Sequence, residues 1–302
     1  GGLFGIALAY PIGGALAKGL EGAAANVAAW LPSEGWRLTF VLIGVTGLSF
    51  VLLVLMLPEP RADGAFSKAA RPEAQEPLLP YLKRSASFTV PLLASLVLLN
   101  VYANGYLMWL TPYFSRTHGW ELPKIGQWLG ISVLVAGIAG SLLGGWLTTT
   151  LTRRTGKDAA MRVSGGVLAL LGPLAVLTPM APNGDIAMLL VALQLTLAFC
   201  GSATMPTVLV NASPPHLRAR FFATNLFLGQ LVGAGMGPAL FAAITDHVFH
   251  DQNKLYLSLS IGAAVVFVPL FGLLWKTTGQ YQLALDRASS GQAPAPGRIQ
   301  GE

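Results

Sequence analysis

The sequence predicts an all-α polytopic membrane protein, and three observations lead to that fold class. Of its 302 residues, 53% are hydrophobic and 11% are charged, with a mean hydropathy of +0.60. Soluble domains carry about 25% charged residues, so this chain cannot cover a water-facing surface. Its apolar residues fall into helix-length runs without the period-two alternation of barrel strands. Soluble enzymes are thereby excluded, and nucleic-acid binding is not indicated because the basic residues lie between apolar runs.

Eight predicted helices follow one another along the chain, separated by charged or Pro-rich residues. They comprise residues 2–20, 37–57, 88–114, 124–151, 160–181, 185–210, 219–245 and 255–276. The apolar stretch from Ala23 to Trp30 is too short to span and predicts a short interfacial helix or ordered loop. The chain begins without Met or a basic segment before its first apolar run, so we expect a fragment of a longer protein rather than a signal peptide.

The basic residues separate onto alternate connections, and this asymmetry predicts the orientation of the helices. One side holds 14 of the 19 Lys and Arg residues, and the other side holds Lys18, Arg37, Arg116, Lys124 and Lys254. Basic residues are retained preferentially on the cytoplasmic side of a membrane. We therefore place the connections 58–87, 152–159 and 211–218, together with the C-terminal tail, in the cytoplasm.

The Pro-rich segment 58–87 divides the chain into unequal parts. Two helices lie before it, within residues 1–57, and six lie after it, within residues 88–276. This arrangement predicts a cytoplasmic linker between two helical bundles. Residues 277–302 end in Gly, Pro, Ser and Gln, which predicts a disordered cytoplasmic tail.

Polar side chains mark two candidate faces, because a polar group inside a bilayer is costly unless it faces protein or water. The candidate substrate contacts are Asn100, Asn104, Tyr106 and Trp109 on the third helix, and Gln194 and Thr204 on the sixth. These faces predict a wet cavity with amphipathic walls. The alternative is that the amides only join helices through hydrogen bonds.

Glycines recur at helical spacing in the fourth and seventh helices. They are Gly137, Gly140 and Gly144 in the fourth helix, and Gly229, Gly233 and Gly237 in the seventh. Such rows let helix backbones approach closely. They predict either rigid helix packing or sliding contacts during a conformational cycle.

Catalytic and metal-binding side chains are not indicated at membrane depth. No Asp, Glu, Lys, Arg or His lies in the middle of a predicted helix, so neither a proton relay nor an intramembrane enzyme is visible in this sequence. His247 and His250 lie close to Asp246 and Asp251, and we interpret this cluster as an extracytoplasmic loop rather than a metal site. We therefore predict no enzymatic activity, metal or cofactor.

The end of the fourth helix resembles the cytoplasmic motif of the major facilitator superfamily. That motif is a glycine, an acid four residues on, a basic pair, another glycine and another base. The corresponding residues here are Gly145, Thr149, Arg153, Arg154, Gly156 and Lys157. Thr149 stands at the acid position and lacks its charge, so the charge lock that the family builds there is not reproduced.

Three other stretches agree with this resemblance. Residues 35–37 look like the family's entry to its sixth helix, and residues 57–60 look like the exit into its central loop. Residues 214–220, followed by the glycine-rich 233–238, look like the connection into its eleventh helix. The last stretch is most similar to the bacterial spinster-like branch, and the anion:cation symporter branch is the near competitor.

The resemblance implies helices five to twelve of a twelve-helix transporter, with helices one to four missing. Residues 1–57 then hold the last two helices of the N-terminal bundle, and residues 88–276 form the C-terminal bundle. In the family, helices one, four, seven and ten line the cavity. The third and sixth helices of this chain correspond to helices seven and ten, which are the two helices with polar faces.

The function implied is secondary active transport of a small molecule by alternating access. The substrate is expected to be amphipathic and lipid-like, or an organic anion, with a proton or cation as the candidate coupling ion. We expect a monomer in the bacterial inner membrane, in contact with the bilayer and with no nucleic acid. The alternative is a non-transporting polytopic scaffold or assembly subunit, in which the glycines and amides merely pack.

Overall fold

The computed structural model describes residues 2–20, 35–56, 85–155, 159–211, 213 and 217–290. The helices, labelled in chain order, are α1 (Gly2–Gly19), α2 (Gly35–Leu55), α3 (Ala86–His118), α4 (Leu122–Thr155), α5 (Ala159–Leu177), α6 (Gly184–Asn211), α7 (Arg218–Phe249) and α8 (Leu255–Ser290). Each helix lies on one of the predicted runs, and no strand occurs within these ranges. The predicted all-α polytopic fold is confirmed.

The helices differ in how much apolar length they offer to a bilayer. Helices α3 to α8 are each long and apolar enough to cross a membrane. Helices α1 and α2 have 18 and 21 residues, and their described apolar stretches are Gly5–Leu16 and Arg37–Val51. The predicted interfacial helix at Ala23–Trp30 and most of the predicted linker, up to residue 84, lie outside the described residues.

Local backbone and side-chain features mark the helix ends on the side predicted to be extracytoplasmic. Helix α3 stops where Gly119 adopts a left-handed conformation with φ 65°, which glycine permits at low cost. Helix α6 begins after Asn183, whose side-chain oxygen accepts a hydrogen bond from the Ile186 N–H at 2.9 Å. His250 ends α7 with φ 50°. Asp251 then accepts a hydrogen bond from the Asn253 N–H at 2.9 Å.

Helices α3 to α8 pack into a bundle, and α1 lies along α4. The contact with α1 is close because two glycines of α4 face its backbone. A Cβ atom on Gly126 would lie 2.6 Å from the Tyr10 carbonyl oxygen, and one on Gly130 would lie 2.6 Å from that of Ala7. Helix α1 therefore packs directly on α4 of the six-helix bundle.

Helix α7 is irregular along its length. Residues Gly229–Ala234 and Ile244–Phe249 are π-helical, with α-helix between them. A π-helical turn widens the helix locally and is often found at functional sites. The first of these turns lies beside Asn100 of α3, because Gly229 and Gly233 pack against that side chain.

The C-terminal region differs from the sequence prediction. Helix α8 continues to Ser290, so residues 277–290 are helical rather than disordered. The extension is anchored where Thr277 and Tyr281 are buried and the Tyr281 ring lies 6.1 Å from the Phe88 ring, centroid to centroid. This tertiary contact stabilises a segment whose composition predicted disorder. Residues 291–302 lie outside the described part of the chain.

Candidate substrate-binding cavity

A cavity of about 310 Å³ lies between α3, α5, α6 and α7. Its wall is mainly aliphatic, and the four polar side chains in it are Asn100, Tyr102, Ser202 and Asn225. The lining residues come from the first half of α3, the middle of α5, the second half of α6 and the start of α7. In the orientation predicted from the basic residues, the cavity thus occupies the cytoplasmic half of the bundle.

The two asparagines predicted on α3 both form hydrogen bonds to carbonyl oxygens of their own helix. Asn100 lines the cavity, and its Nδ2 donates to the Leu96 carbonyl oxygen at 2.9 Å. Asn104 donates in the same way to the Asn100 carbonyl oxygen at 2.9 Å. Both side chains are half-buried. These hydrogen bonds remain within α3, so neither amide joins α3 to another helix through them.

Gln194 is at the centre of a buried hydrogen-bond network. Its side chain is 4% exposed, and its Oε1 accepts from the Tyr102 hydroxyl at 3.1 Å. Its Nε2 donates to the Leu174 carbonyl oxygen at 3.2 Å, to the Thr178 hydroxyl and, more weakly, to the Tyr106 hydroxyl at 3.4 Å. Gln194 therefore joins α6 to α3 and to the end of α5, and it does not line the cavity.

Tyr102 connects this network to the cavity. It lines the cavity, while its hydroxyl is held by Gln194. The Tyr102 ring also lies 5.1 Å from the Tyr106 ring and 4.8 Å, edge to face, from the Phe267 ring. Tyr106 is itself buried, and its hydroxyl donates to the Ala175 carbonyl oxygen at 3.4 Å. Gln194 and Tyr106 thus fix one wall of the cavity without lining it.

The remaining two predicted contacts also lie outside the cavity wall. The Thr204 hydroxyl lies 2.8 Å from that of Ser164, with both residues buried between α5 and α6. The Trp109 Nε1 donates to the Pro238 carbonyl oxygen at 3.0 Å, which joins α3 to α7. Of the six predicted contacts, Asn100 is the one that lines this cavity.

Sequence reasoning did not single out Ser202 or Asn225 as site residues. Asn225 lies near the start of α7, one helical turn before Gly229. Its side-chain Oδ1 is buried and has no hydrogen-bond partner. An Asn placed one turn before a glycine-rich π-helical turn is a signal that could have drawn attention to this position.

The predicted glycines lie at close helix contacts. A Cβ atom on Gly144 would lie 2.6 Å from the Cys200 carbonyl oxygen of α6, and Gly140 faces the Thr196 carbonyl oxygen. On α7, a Cβ on Gly233 would lie 2.7 Å from the Asn100 Cβ, and one on Gly237 would lie 2.6 Å from the Val101 carbonyl oxygen. Gly229 also packs on Asn100. Gly137 is buried.

The described residues of the cytoplasmic motif are exposed at the end of α4. A Cβ atom on Gly145 would meet no described atom of a neighbouring helix within 4 Å. The Thr149 hydroxyl donates to the Gly145 carbonyl oxygen at 2.8 Å. Arg153 and Arg154 are exposed in the last turn of α4. Gly156 and Lys157 lie outside the described residues.

The fold and the cavity define the class of protein. The described residues include six helices long and apolar enough to cross a membrane, which is the feature of an integral multi-pass membrane protein. The chain belongs to the Major Facilitator Superfamily, whose family profile matches residues 1–238. The predicted family membership is confirmed.

Two curated relatives are similar to the chain over much of its length. It is 25% identical over 259 residues to an MFS-type efflux pump of Mycolicibacterium smegmatis, which covers 83% of this chain and 58% of the pump. It is also 25% identical over 221 residues to the "Probable sulfoacetate transporter SauU" of Cupriavidus necator, covering 68% of this chain and 49% of that protein. The chain therefore spans about half the length of the curated relatives it matches.

Solved structures of a bacterial homolog to the human lysosomal transporter Spinster share the fold. The inward-facing, unoccupied form matches with a TM-score of 0.63 at 20% sequence identity, covering 96% of this chain and 70% of that one. The inward-facing, occupied form matches with a TM-score of 0.62, covering 97% of this chain and 69% of that one. The partial coverage of these proteins is consistent with the predicted N-terminal truncation.

Proposed function

We propose that the protein is a secondary active transporter that moves a small molecule across the membrane by alternating access, and that this chain provides its C-terminal two-thirds. The observation that carries the proposal is the mainly aliphatic cavity, with four polar side chains in its wall, in a chain of the Major Facilitator Superfamily. The proposed location is the bacterial inner membrane, with a monomeric protein and a proton or cation as the coupling ion.

The proposed substrate is amphipathic. An aliphatic wall that contains a few convergent polar groups is typical of a site for a small molecule with a large apolar part. The relative described as an efflux pump is compatible with such a substrate. Residues 1–57 and 88–276 are proposed as parts of two bundles, because alternating access moves one bundle against the other.

Two kinds of role are proposed for the polar residues of α3 and α6. Asn100 is proposed to contact the substrate because it lines the cavity. Asn104 is proposed to do so because it lies one turn further along the same face of α3 and its amide donates to a carbonyl oxygen of its own helix. Gln194 and Tyr106 are proposed to position Tyr102, while Thr204 and Trp109 hold neighbouring helices in place. The exposed Arg153 and Arg154 are proposed to belong to the cytoplasmic gate region.

An organic anion is the second candidate substrate. It is favoured by the relative described as a sulfoacetate transporter. Burying an anion requires a cationic partner or several hydrogen-bond donors. Such a cation would have to come from outside the described cavity wall, which holds no Lys or Arg.

Transport by the full-length protein tests the proposal. Cells that overproduce it are loaded with N-phenyl-1-naphthylamine as the uncharged amphipathic probe, or supplied with sulfoacetate as the anionic probe, and net movement is compared with and without an energy source. We expect energy-dependent movement of N-phenyl-1-naphthylamine, reduced by Asn104→Leu at unchanged protein level. Ser115→Ala is the control, because Ser115 is exposed at the far end of α3.

The possible outcomes separate the candidates. Movement of sulfoacetate alone would favour the organic anion. A protein that moves neither probe would support the scaffold alternative. Normal transport by both Asn104→Leu and Gln194→Leu would remove the assignment of the substrate site to α3 and α6.

A further inference from the structure

We propose that the cavity between α3, α5, α6 and α7 binds an uncharged aliphatic molecule through a hydroxyl group, which donates its hydrogen bond to Asn225 Oδ1. This inference rests on the proposed function and narrows its substrate class from amphipathic molecules in general to neutral aliphatic alcohols. Three features of the cavity carry it, namely an acceptor without a donor, a wall without charged side chains and a volume suited to an alkyl chain of medium length.

The first feature is the Asn225 carboxamide. Its Oδ1 is buried without a hydrogen-bond partner, and the residue lies in the cavity wall. Buried polar atoms are nearly always satisfied, because leaving one unpaired costs free energy. The missing partner of an oxygen acceptor must be a hydrogen-bond donor.

The hydrogen bonds of the other polar side chains in the wall go to groups other than Asn225. Asn100 Nδ2 donates to the Leu96 carbonyl oxygen, and the Tyr102 hydroxyl donates to Gln194. The Ser202 hydroxyl donates to the Phe199 carbonyl oxygen at 2.9 Å. None of these hydrogen bonds reaches Asn225 Oδ1, so the molecule that occupies the cavity is the candidate donor.

The second feature is the charge of the wall. Its described lining contains no Asp, Glu, Lys, Arg or His. An ion moved from water into such a cavity loses its hydration without gaining a counter-charge, whereas a hydroxyl needs a single partner. The wall thus favours a neutral donor over an ammonium group or a carboxylate.

The third feature is the shape of the cavity. Its volume of about 310 Å³ lies at the small end of ligand sites, which span about 300–1,000 Å³. Leu168 and Leu171 of α5 and Met205 of α6 form much of the aliphatic wall. Lining residues of α6 and α7 are exposed, among them Ser202, Phe222 and Leu226, so a ligand can enter between these helices. A medium-length alkyl alcohol suits this space.

Protection of a thiol at residue 202 tests the proposal without any transport assay. The variant is the full-length protein with Cys200→Ala and Ser202→Cys, reconstituted in lipid nanodiscs. The rate at which a thiol reagent alkylates residue 202 is measured by mass spectrometry of the peptide that contains it. The probes are n-decanol, n-decane, n-decyl methyl ether and decanoate at matched membrane concentrations. Ser115→Cys, outside the cavity, is the control site for non-specific protection.

We expect n-decanol to slow alkylation at residue 202 at a concentration about tenfold lower than n-decane or the methyl ether, which cannot donate a hydrogen bond. Asn225→Leu should abolish this preference and leave n-decane unaffected. Gln230→Leu is the matched control, because it removes an exposed carboxamide from the same helix outside the cavity. The comparison of alcohol with ether needs no change at Asn225, so it stands even if Asn225→Leu misfolds.

Several results would overturn the proposal. Equal protection by the ether and the alcohol would show that the cavity does not recognise a hydrogen-bond donor on the ligand and that water alone satisfies Asn225. Stronger protection by decanoate would assign the cavity to anions. Equal protection at residues 202 and 115, or none at either, would show that the cavity is not a ligand site. Because these readouts do not require transport, a failure here is distinguishable from a failure of the proposed function.

Discussion

Two faces of α3 carry polar side chains of similar chemistry but opposite surroundings. On one face, the hydroxyls of Tyr102 and Tyr106 engage Gln194 of α6 and backbone oxygens of α5. On the other, Asn100 and Asn104 bond to carbonyl oxygens of their own helix, and Asn100 borders the cavity. The first face is closed by its neighbours, and the second keeps its polar groups available.

The difference shows how a membrane helix separates structure from binding. A polar group satisfied across helices stabilises the bundle and cannot change partner without cost. A polar group satisfied by its own backbone stabilises packing less, but it can meet a ligand without breaking the bundle. Measurements of stability and transport should therefore give opposite rankings for the two faces.

The largest effect on stability is expected for Gln194→Leu. It removes the acceptor of the buried Tyr102 hydroxyl and the donor to Thr178. We expect the free energy of unfolding to fall by about 2–4 kcal/mol, measured by thermal unfolding of the purified protein in one detergent. Gln230→Leu, at an exposed position of α7, should change it by less than about 0.5 kcal/mol. An equal loss of stability in the two variants would contradict the stabilising role of the hydrogen-bond network around Gln194.

The next effect concerns the close contact of α3 with α7. A Cβ atom on Gly105 would lie 2.6 Å from the Gly237 carbonyl oxygen, which is backbone and cannot rotate away. We expect Gly105→Ala to destabilise the protein by about 1–3 kcal/mol. Gly272→Ala in α8 meets no atom within 4 Å and should stabilise it by up to about 1 kcal/mol. Thermal unfolding of both variants measures the two changes in stability. A change of the same sign in both variants would contradict the close contact at Gly105.

The sequence predicts the helices well because the signal is local. A run of about 20 apolar residues is enough to define a membrane helix, whatever it packs against. The end of α8 is different, since Tyr281 is buried against Phe88, nearly two hundred residues away in sequence. No local pattern contains that contact, and the composition beyond residue 276 predicted disorder.

The substrate-binding cavity also depends on contacts that the local sequence does not contain. An Asn and a Gln in two apolar helices look alike in sequence, and both were predicted as substrate contacts. Their roles depend on which neighbours reach them, as Gln194 and Asn100 show. Asn225 was missed because it lies near the charged start of α7, where a polar residue needs no explanation. Tertiary arrangement, rather than residue type, assigns these side chains to structure or to binding.

A smaller effect is expected for the hydroxyl pair between α5 and α6. Thr204→Val keeps the shape of the side chain but removes its hydrogen bond with Ser164. A double-mutant cycle with Ser164→Ala should give a coupling energy of about 0.5–1.5 kcal/mol in thermal unfolding. Thr196→Val is the control, because the Thr196 hydroxyl bonds to the Ala192 carbonyl oxygen of its own helix. A coupling near zero for Thr204 would mean that this pair does not join the helices.

The smallest effect on stability is expected for Asn104→Leu, together with a loss of transport. The Asn104 amide is half-buried and donates to the Asn100 carbonyl oxygen of its own helix. Its loss should therefore change the free energy of unfolding by less than about 0.5 kcal/mol. Thermal unfolding and transport of N-phenyl-1-naphthylamine, measured on the same variant, give the two values. If Asn104→Leu destabilised the protein as much as Gln194→Leu, its transport defect would follow from unfolding. The proposal that the Asn100 and Asn104 face of α3 contacts the substrate would then be contradicted.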